Sequence, residues 1–306
     1  MKDRYTAMVL ASFAGDALAL GVHWIYDTAQ IERITGKITN YLDPQPNSYH
    51  SSKSKGDFTH YGDQTLVLLK SLGGREEFDL ELFFSKWREF MLGTHGYLDR
   101  ASKTTLANIK EGRSPNHSGS FSTDLGGSAR IAPLLFACRN EYDTLLKFVL
   151  QQTAMTHNSA AALYGAEFLC HLTWEVLHGT EPREAVRKIL SGGRADNDLD
   201  LKLRSACEHS QESTSALIRK YGQACSITDA LPGVVHLVMK YQDNLREALQ
   251  ENVMAGGDSA ARGLAVGMVL GAHLGIKAIP DSWIREMNNG PEIMALLKKI
   301  HQKEEG

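Results

Sequence analysis

The chain has no Cys-x-x-Cys pair: its cysteines, Cys138, Cys170, Cys207 and Cys225, stand far apart in a sequence of 306 residues. That spacing indicates neither a zinc knuckle nor a disulfide scaffold, and the expectation is reduced, mostly buried thiols in a cytoplasmic protein. A basic stripe is also missing. Lys and Arg are scattered and the formal net charge is −3, so nothing in the balance draws in nucleic acid or an anionic membrane. The apolar stretch from Gly263 to Ile276 contains His273, ends at Lys277 and falls short of the roughly 20 residues that cross a bilayer. Met1-Lys2-Asp3-Arg4 followed by Ala7 to Ala14 imitates a signal peptide, but Asp16 interrupts it and the charge before it is mixed, so it is expected to be mature structure. Alternating strand patterns are almost absent and no linker forces a split, which leaves one helical domain over residues 1–306.

What is present is a set of Gly-Asp pairs, Gly15-Asp16, Gly62-Asp63 and Gly257-Asp258, each against small and apolar residues. Burying an unpaired carboxylate is costly, whereas several around a hard cation compensate one another, so their convergence would mark a site. Helix capping is the competing reading of each Asp. Behind the third pair, Gly263, Gly267, Gly271 and Gly275 recur at intervals of four. Each costs a helix interior roughly 0.8 to 1.0 kcal/mol relative to Ala, so the stripe predicts a central helix, headed by Asp258, that another backbone approaches closely.

The periodicity predicts helix after helix. Asp27 with Gln30 opens one that stops at Gly36, Asp79 heads an apolar stripe through Leu82, Phe83, Trp87, Phe90 and Met91, and another spans Ser102 to Lys110. Further helices are expected over Tyr142 to Ala154, Ser159 to Leu177, Thr180 to Leu190, Leu199 to Cys207 and Ser213 to Cys225, with Asp243 capping a segment to Val253 and Asp281 one around Trp283. Long polar loops, Lys37 to Tyr61 and Gly112 to Asp124, interrupt the series. The second leads into Leu125-Gly126-Gly127-Ser128-Ala129-Arg130, where free backbone N–H groups at a helix start could hold an anion and Arg130 could add a bidentate phosphate contact. A simple turn is the plainer reading of Gly126-Gly127. Thr156-His157 opens the next small-residue helix, with His157 either a cap or a ligand contact.

Taken in order, Ser12-Phe13-Ala14-Gly15-Asp16-Ala17-Leu18, Tyr61-Gly62-Asp63-Gln64-Thr65, Gly127-Ser128-Ala129-Arg130-Ile131-Ala132-Pro133-Leu134, Thr156-His157 and Gly256-Gly257-Asp258-Ser259-Ala260-Ala261 resemble the ADP-ribosylglycohydrolase family over nearly the whole chain. Jellyfish lens crystallins of that superfamily resemble it too, at Val22-His23-Trp24-Ile25-Tyr26-Asp27. The resemblance implies an all-α fold, a compact orthogonal multi-helix bundle, whose cleft holds two Mg²⁺ ions that grip an ADP-ribosyl group and position a water against its anomeric carbon. It places Asp63 and Asp258 as catalytic carboxylates, Asp63, Gln64, Asp258 and Ser259 as metal ligands, and Asp16, His23, Gly126, Gly127, Ser128, Arg130, His157 and Arg262 around the substrate.

The chain departs from that pattern where the chemistry sits. The family's Thr-Asp-Asp-Thr falls on Gly62, Asp63, Gln64 and Thr65, and its Asp-Thr-Asp-Thr falls on Asp258, Ser259, Ala260 and Ala261. His23 stands roughly where several members carry a Glu. Fewer anionic ligands imply one Mg²⁺ or none, and Arg262, one turn after Asp258, either takes the place of a cation or forms an ordinary surface pair. The expectations are thus an ADP-ribosyl glycoside hydrolase with a reduced metal site, or a non-catalytic member that binds a nucleotide sugar or serves a structural, crystallin-like role.

Overall fold

The computed structural model describes residues 2–73, 75, 77–192 and 198–302. The first half runs through α1 (Lys2–Ala19), α2 (Thr28–Thr35), α3 (His60–Leu72), α4 (Leu80–Gly93), α5 (Arg100–Lys110), α6 (Gly126–Ala129), α7 (Ala132–Ala137) and α8 (Tyr142–Ala154). There follow α9 (Ala160–Leu177), α10 (Pro182–Gly192), α11 (Asp198–Glu208), α12 (Thr214–Tyr221), α13 (Ile227–Lys240), α14 (Leu245–Met254), α15 (Ser259–Leu274), α16 (Asp281–Glu286) and α17 (Gly290–Gln302). Among the described residues no strand forms, only isolated bridges at Ser120–His157 and Asp124–Ser226. The fold is all-α, as expected.

Side-chain caps set many of the helix starts. Asp27 accepts from the Ala29 N–H, Asp79 from Leu82 and Ser159 from Ala162, each satisfying a donor that the first turn leaves open. Elsewhere the boundaries moved. The cap of α14 is Asn244, which accepts from the Glu247 N–H, while Asp243 reaches toward Arg183. Asp281 is the first residue of α16 and Pro280 its cap, so the carboxylate acts on the helix dipole instead. Helix α12 stops at Gly222, whose φ of 122° breaks it before Cys225. Helices α13 and α17 were not anticipated, and Pro232 inside α13 removes the usual helix signal there.

The glycine stripe does what its spacing predicts. A Cβ on Gly263 would lie 2.5 Å from the Gly15 carbonyl oxygen, one on Gly267 2.1 Å from that of Ala11, and one on Gly271 2.6 Å from that of Ala7. The backbones of α1 and α15 therefore touch along their length, tied by Ser12 Oγ donating to the Leu264 carbonyl at 2.9 Å. Gly275 lies outside the stripe and ends α15 with φ of 75°. Asp3–Val22 is long and apolar enough to cross a membrane, yet 94% of that window is buried within the fold. The packing carries Gly15-Asp16 in the body of α1 to the start of α3, and Asp258 to the head of α15.

Candidate functional site

Segments distant in sequence are knitted together at the head of α15 by backbone hydrogen bonds. Trp24 N–H donates to the Gly257 carbonyl at 3.0 Å, Gly257 N–H to Ile25 at 2.8 Å and Asp258 N–H to Gln223 at 2.8 Å. The bridge between Asp124 and Ser226 is closed by Leu125 N–H to Cys225 at 2.8 Å and Ile227 N–H to Thr123 at 2.7 Å. Gly256 and Gly257 hold φ of 71° and 68°, and a Cβ on Gly257 would meet the Gln223 carbonyl oxygen at 2.2 Å, so this crossing needs glycine at Gly257 on both counts.

The clamp brings Asp124, Cys225 and Asp258 together, with one ligand atom of each within 4.8 Å of the others. Tyr61, from the first turn of α3, donates its hydroxyl to both carboxyls, at 3.1 and 3.2 Å to the Asp124 oxygens and 3.2 Å to Asp258 Oδ2. Burial raises the Asp124 carboxyl and the neighbouring Asp258 charge raises it further. Burial also raises Asp258, opposed by the positive charge of Arg262. The Cys225 thiol is pushed up by burial and by both carboxyls. His23 closes one side: its ring stacks on Trp24, its Nδ1 lies 3.7 Å from Asp258 Oδ1, its side chain is fully buried, and neither ring nitrogen has a hydrogen-bond partner. Burial, then His50 and His60, hold its pKa well below the usual histidine range. Trp24, at φ of 65°, is the sole non-glycine with positive φ among the described residues, and a strained tryptophan backbone of this kind is found where the surroundings over-determine it.

The three Gly-Asp carboxylates do not converge. Asp16 serves the start of α3, accepting from Thr59 N–H at 2.7 Å, Thr59 Oγ1 at 2.6 Å and Gly62 N–H at 3.2 Å. Asp63 lines a small cavity with His50, Lys53, His60 and Tyr97, where Lys53 Nζ holds it at 2.6 Å. Burial raises the Asp63 carboxyl and Lys53 offsets part of that rise. Only Asp258 reaches the Asp124–Cys225 group, and it caps α15 at the same time by accepting from Ala261 N–H at 3.4 Å.

Several residues placed around the substrate are taken up by the core. Arg130 is 1% exposed, and its guanidinium donates to Gln152 Oε1 at 2.8 Å, Gln64 Oε1 at 2.9 Å, the Gln152 carbonyl at 3.1 Å and Thr156 Oγ1 at 2.6 Å. A phosphate would have to replace those acceptors, so the geometry corrects Arg130 to an anchor of the core. Gln64 Oε1 also accepts from Trp87 Nε1 at 2.8 Å, which occupies it as a ligand atom. Ser128 Oγ donates to the Ala162 carbonyl at 2.8 Å. The glycine loop is packed rather than open: a Cβ on Gly126 would strike the Tyr61 ring at 2.2 Å and one on Gly127 the His157 ring at 2.6 Å. The Gly126 N–H is already bonded to Asp124 Oδ1 at 2.8 Å, so a carboxyl of this chain stands where a bound anion would accept. His157 Nδ1 meets Thr156 Oγ1 at 2.8 Å while its Nε2 is buried without a partner. Burial, with Arg130 adding to it, lowers its pKa to about 4.

Arg262 is neither a surface residue nor paired directly with Asp258. It is fully buried, its Nε donates to Asn252 Oδ1 at 3.0 Å and its Nη2 to the Gly256 carbonyl, and its Nη1 has no partner. Its charge acts on Asp258 through space.

A pair of Mg²⁺ ions does not fit these residues. Asp63 is engaged with Lys53 and Gln64 with Trp87 and Arg130, positions 260 and 261 are alanines, and the third member of the remaining cluster is a thiol, a poor ligand for a hard cation. Asp124 and Cys225 were missed in the sequence because neither lies in a metal-type spacing. Asp124 immediately ahead of the glycine loop was the only available signal.

A sequence model of the ADP-ribosylglycohydrolase family matches residues 1–306. Crystallin J1A of Tripedalia cystophora is 28% identical, covering 98% of this chain and 96% of that protein. The protein named ADP-ribosylhydrolase ARH3 of Homo sapiens is 19% identical, with 98% and 93% covered. Among solved structures, one titled ADP-ribosylglycohydrolase-related protein complex superposes with a TM-score of 0.78 at 24% identity, covering 98% of each chain, which is a likeness of fold.

Proposed function

This chain belongs to the ADP-ribosylglycohydrolase family, and on that premise we propose that it hydrolyses the glycosidic bond between an ADP-ribosyl group and its acceptor. The observation that carries the reading is the Asp124–Tyr61–Asp258 arrangement, two buried carboxyls bridged by one hydroxyl beside the unpartnered His23. Cleavage at an anomeric carbon needs a carboxyl group to orient the water and take its proton, and a second group to protonate the leaving atom. Asp63, tied to Lys53, is replaced in the first role by Asp258. Asp124 is the second carboxyl, and Tyr61 fixes the spacing between them. No step in this reading passes through magnesium.

The test is release of free ADP-ribose from ADP-ribosyl-arginine, ADP-ribosyl-serine and ester-linked substrates by the wild type and Asp258→Asn. Asn preserves the cap of α15 while removing the charge, so turnover should fall about 10²- to 10⁴-fold, the range for a general acid–base group, with the Kd for ADP-ribose changed far less. A wild type that binds ADP-ribose yet releases none from any substrate is a non-catalytic member.

A further inference from the structure

We propose that Asp124, Cys225 and Asp258 form a binding site for a single borderline-soft divalent cation of the zinc class. The cluster combines a sulfur ligand with two carboxyl oxygens, all within 4.8 Å of one another. Zn²⁺ takes thiolate at about 2.3 Å and carboxylate at about 2.0 to 2.2 Å, so closing these side chains onto one ion needs shifts of about an ångström and no movement of the knitted backbone. Sulfur in the set selects against Mg²⁺ and Ca²⁺.

An independent observation points to a missing occupant. His23 is fully buried, its Nδ1 faces Asp258 Oδ1 at 3.7 Å, and both of its nitrogens lack partners. Buried polar atoms are nearly always satisfied. With a cation drawing Asp258 inward, the His23 N–H becomes the outer contact that orients a ligating carboxylate. Three protein ligands leave a fourth position open, as in catalytic rather than structural zinc sites. Binding displaces the Cys225 thiol proton and any proton on the two carboxyls, and three anionic ligands around a divalent ion leave one net negative charge, so the ion is taken up with proton release. The inference concerns binding: a ligating Asp124 has no proton for a leaving group, so the ion-bound form is a different state of this site from the acid–base one proposed above, and the metal titration is read independently of turnover.

The full chain, stripped with chelator, is titrated with Co²⁺ and followed in the near ultraviolet for sulfur-to-cobalt charge transfer, then displaced with Zn²⁺ and with Mg²⁺. The expected result is one ion per chain, a thiolate band that Zn²⁺ removes and Mg²⁺ does not, and proton release on binding. Cys225→Ser should abolish the band and weaken Zn²⁺ by about 100-fold or more, at least the top of the range seen for lost outer contacts. His23→Gln should weaken it about 10- to 100-fold with the band kept. Cys170→Ser, at a buried thiol elsewhere, should change neither. A folded wild type with no thiolate band, a Cys225→Ser protein that binds Zn²⁺ as tightly, or displacement by Mg²⁺ in preference to Zn²⁺ would overturn the proposal.

Discussion

At the scale of single residues, burial and partners decide what each charged group does. Asp16 is the clearest case. Its carboxyl is fully buried and raised to about 7 by that burial, although three donors from Thr59 and Gly62 pull against the rise. An unfolded Asp titrates near about 3.9, so the folded protein holds this proton more tightly than the unfolded chain does; the stability contributed is complete below about pH 4 and is lost as pH rises to about 7. The expected outcome for Asp16→Asn is a flatter dependence of the urea midpoint on pH across that window than the wild type shows. An unchanged slope would mean that the donors keep Asp16 ionised throughout. Arg130 and Arg262 make the same point with the opposite charge: both are buried and held by neutral acceptors, and burial lowers each to about 10, well above neutral pH.

At the scale of elements, the contact between α1 and α15 sets the frame. Gly267 sits where an added methyl would strike the Ala11 backbone at 2.1 Å. Gly267→Ala should therefore destabilise by about 3 kcal/mol, the upper end of the usual cost of overpacking, despite the better helix propensity of Ala. Gly93, the last residue of α4, has nothing within 4 Å of an added Cβ, and Gly93→Ala should be neutral or stabilise by up to about 1 kcal/mol. Urea unfolding of both variants checks the pair, and equal effects would remove the close approach as the reason for the stripe.

At the scale of the whole molecule, the site is an assembly of loops that no single helix contains. The amides of Trp24, Leu125, Ile227 and Asp258 donate across segments as far apart as residues 24 and 257, so opening any of them breaks the junction of several elements. Their hydrogen exchange should proceed by global unfolding and show free energies close to the total stability, unlike the amides of exposed loop residues such as Asn47 and Ser52. Exchange of Trp24 or Asp258 at several kcal/mol below the global value would show that the loops open independently.

The sequence by itself determined the all-α class, most helix positions and that another backbone closely approaches the glycine face of α15, because a stripe of glycines, a cap or an apolar period is a local pattern with a local cause. The order of motifs also carried the family. Tertiary structure alone decided which carboxylates meet. Asp16, Asp63 and Asp258 share the same local context, yet they ended in three different places: at the start of α3, against Lys53, and beside Asp124 and Cys225. Asp124 and Cys225 are 101 positions apart by their numbers in the chain, and what joins them is the bridge between their loops. Such a register depends on the packing of every helix between them, and no spacing along the chain encodes it.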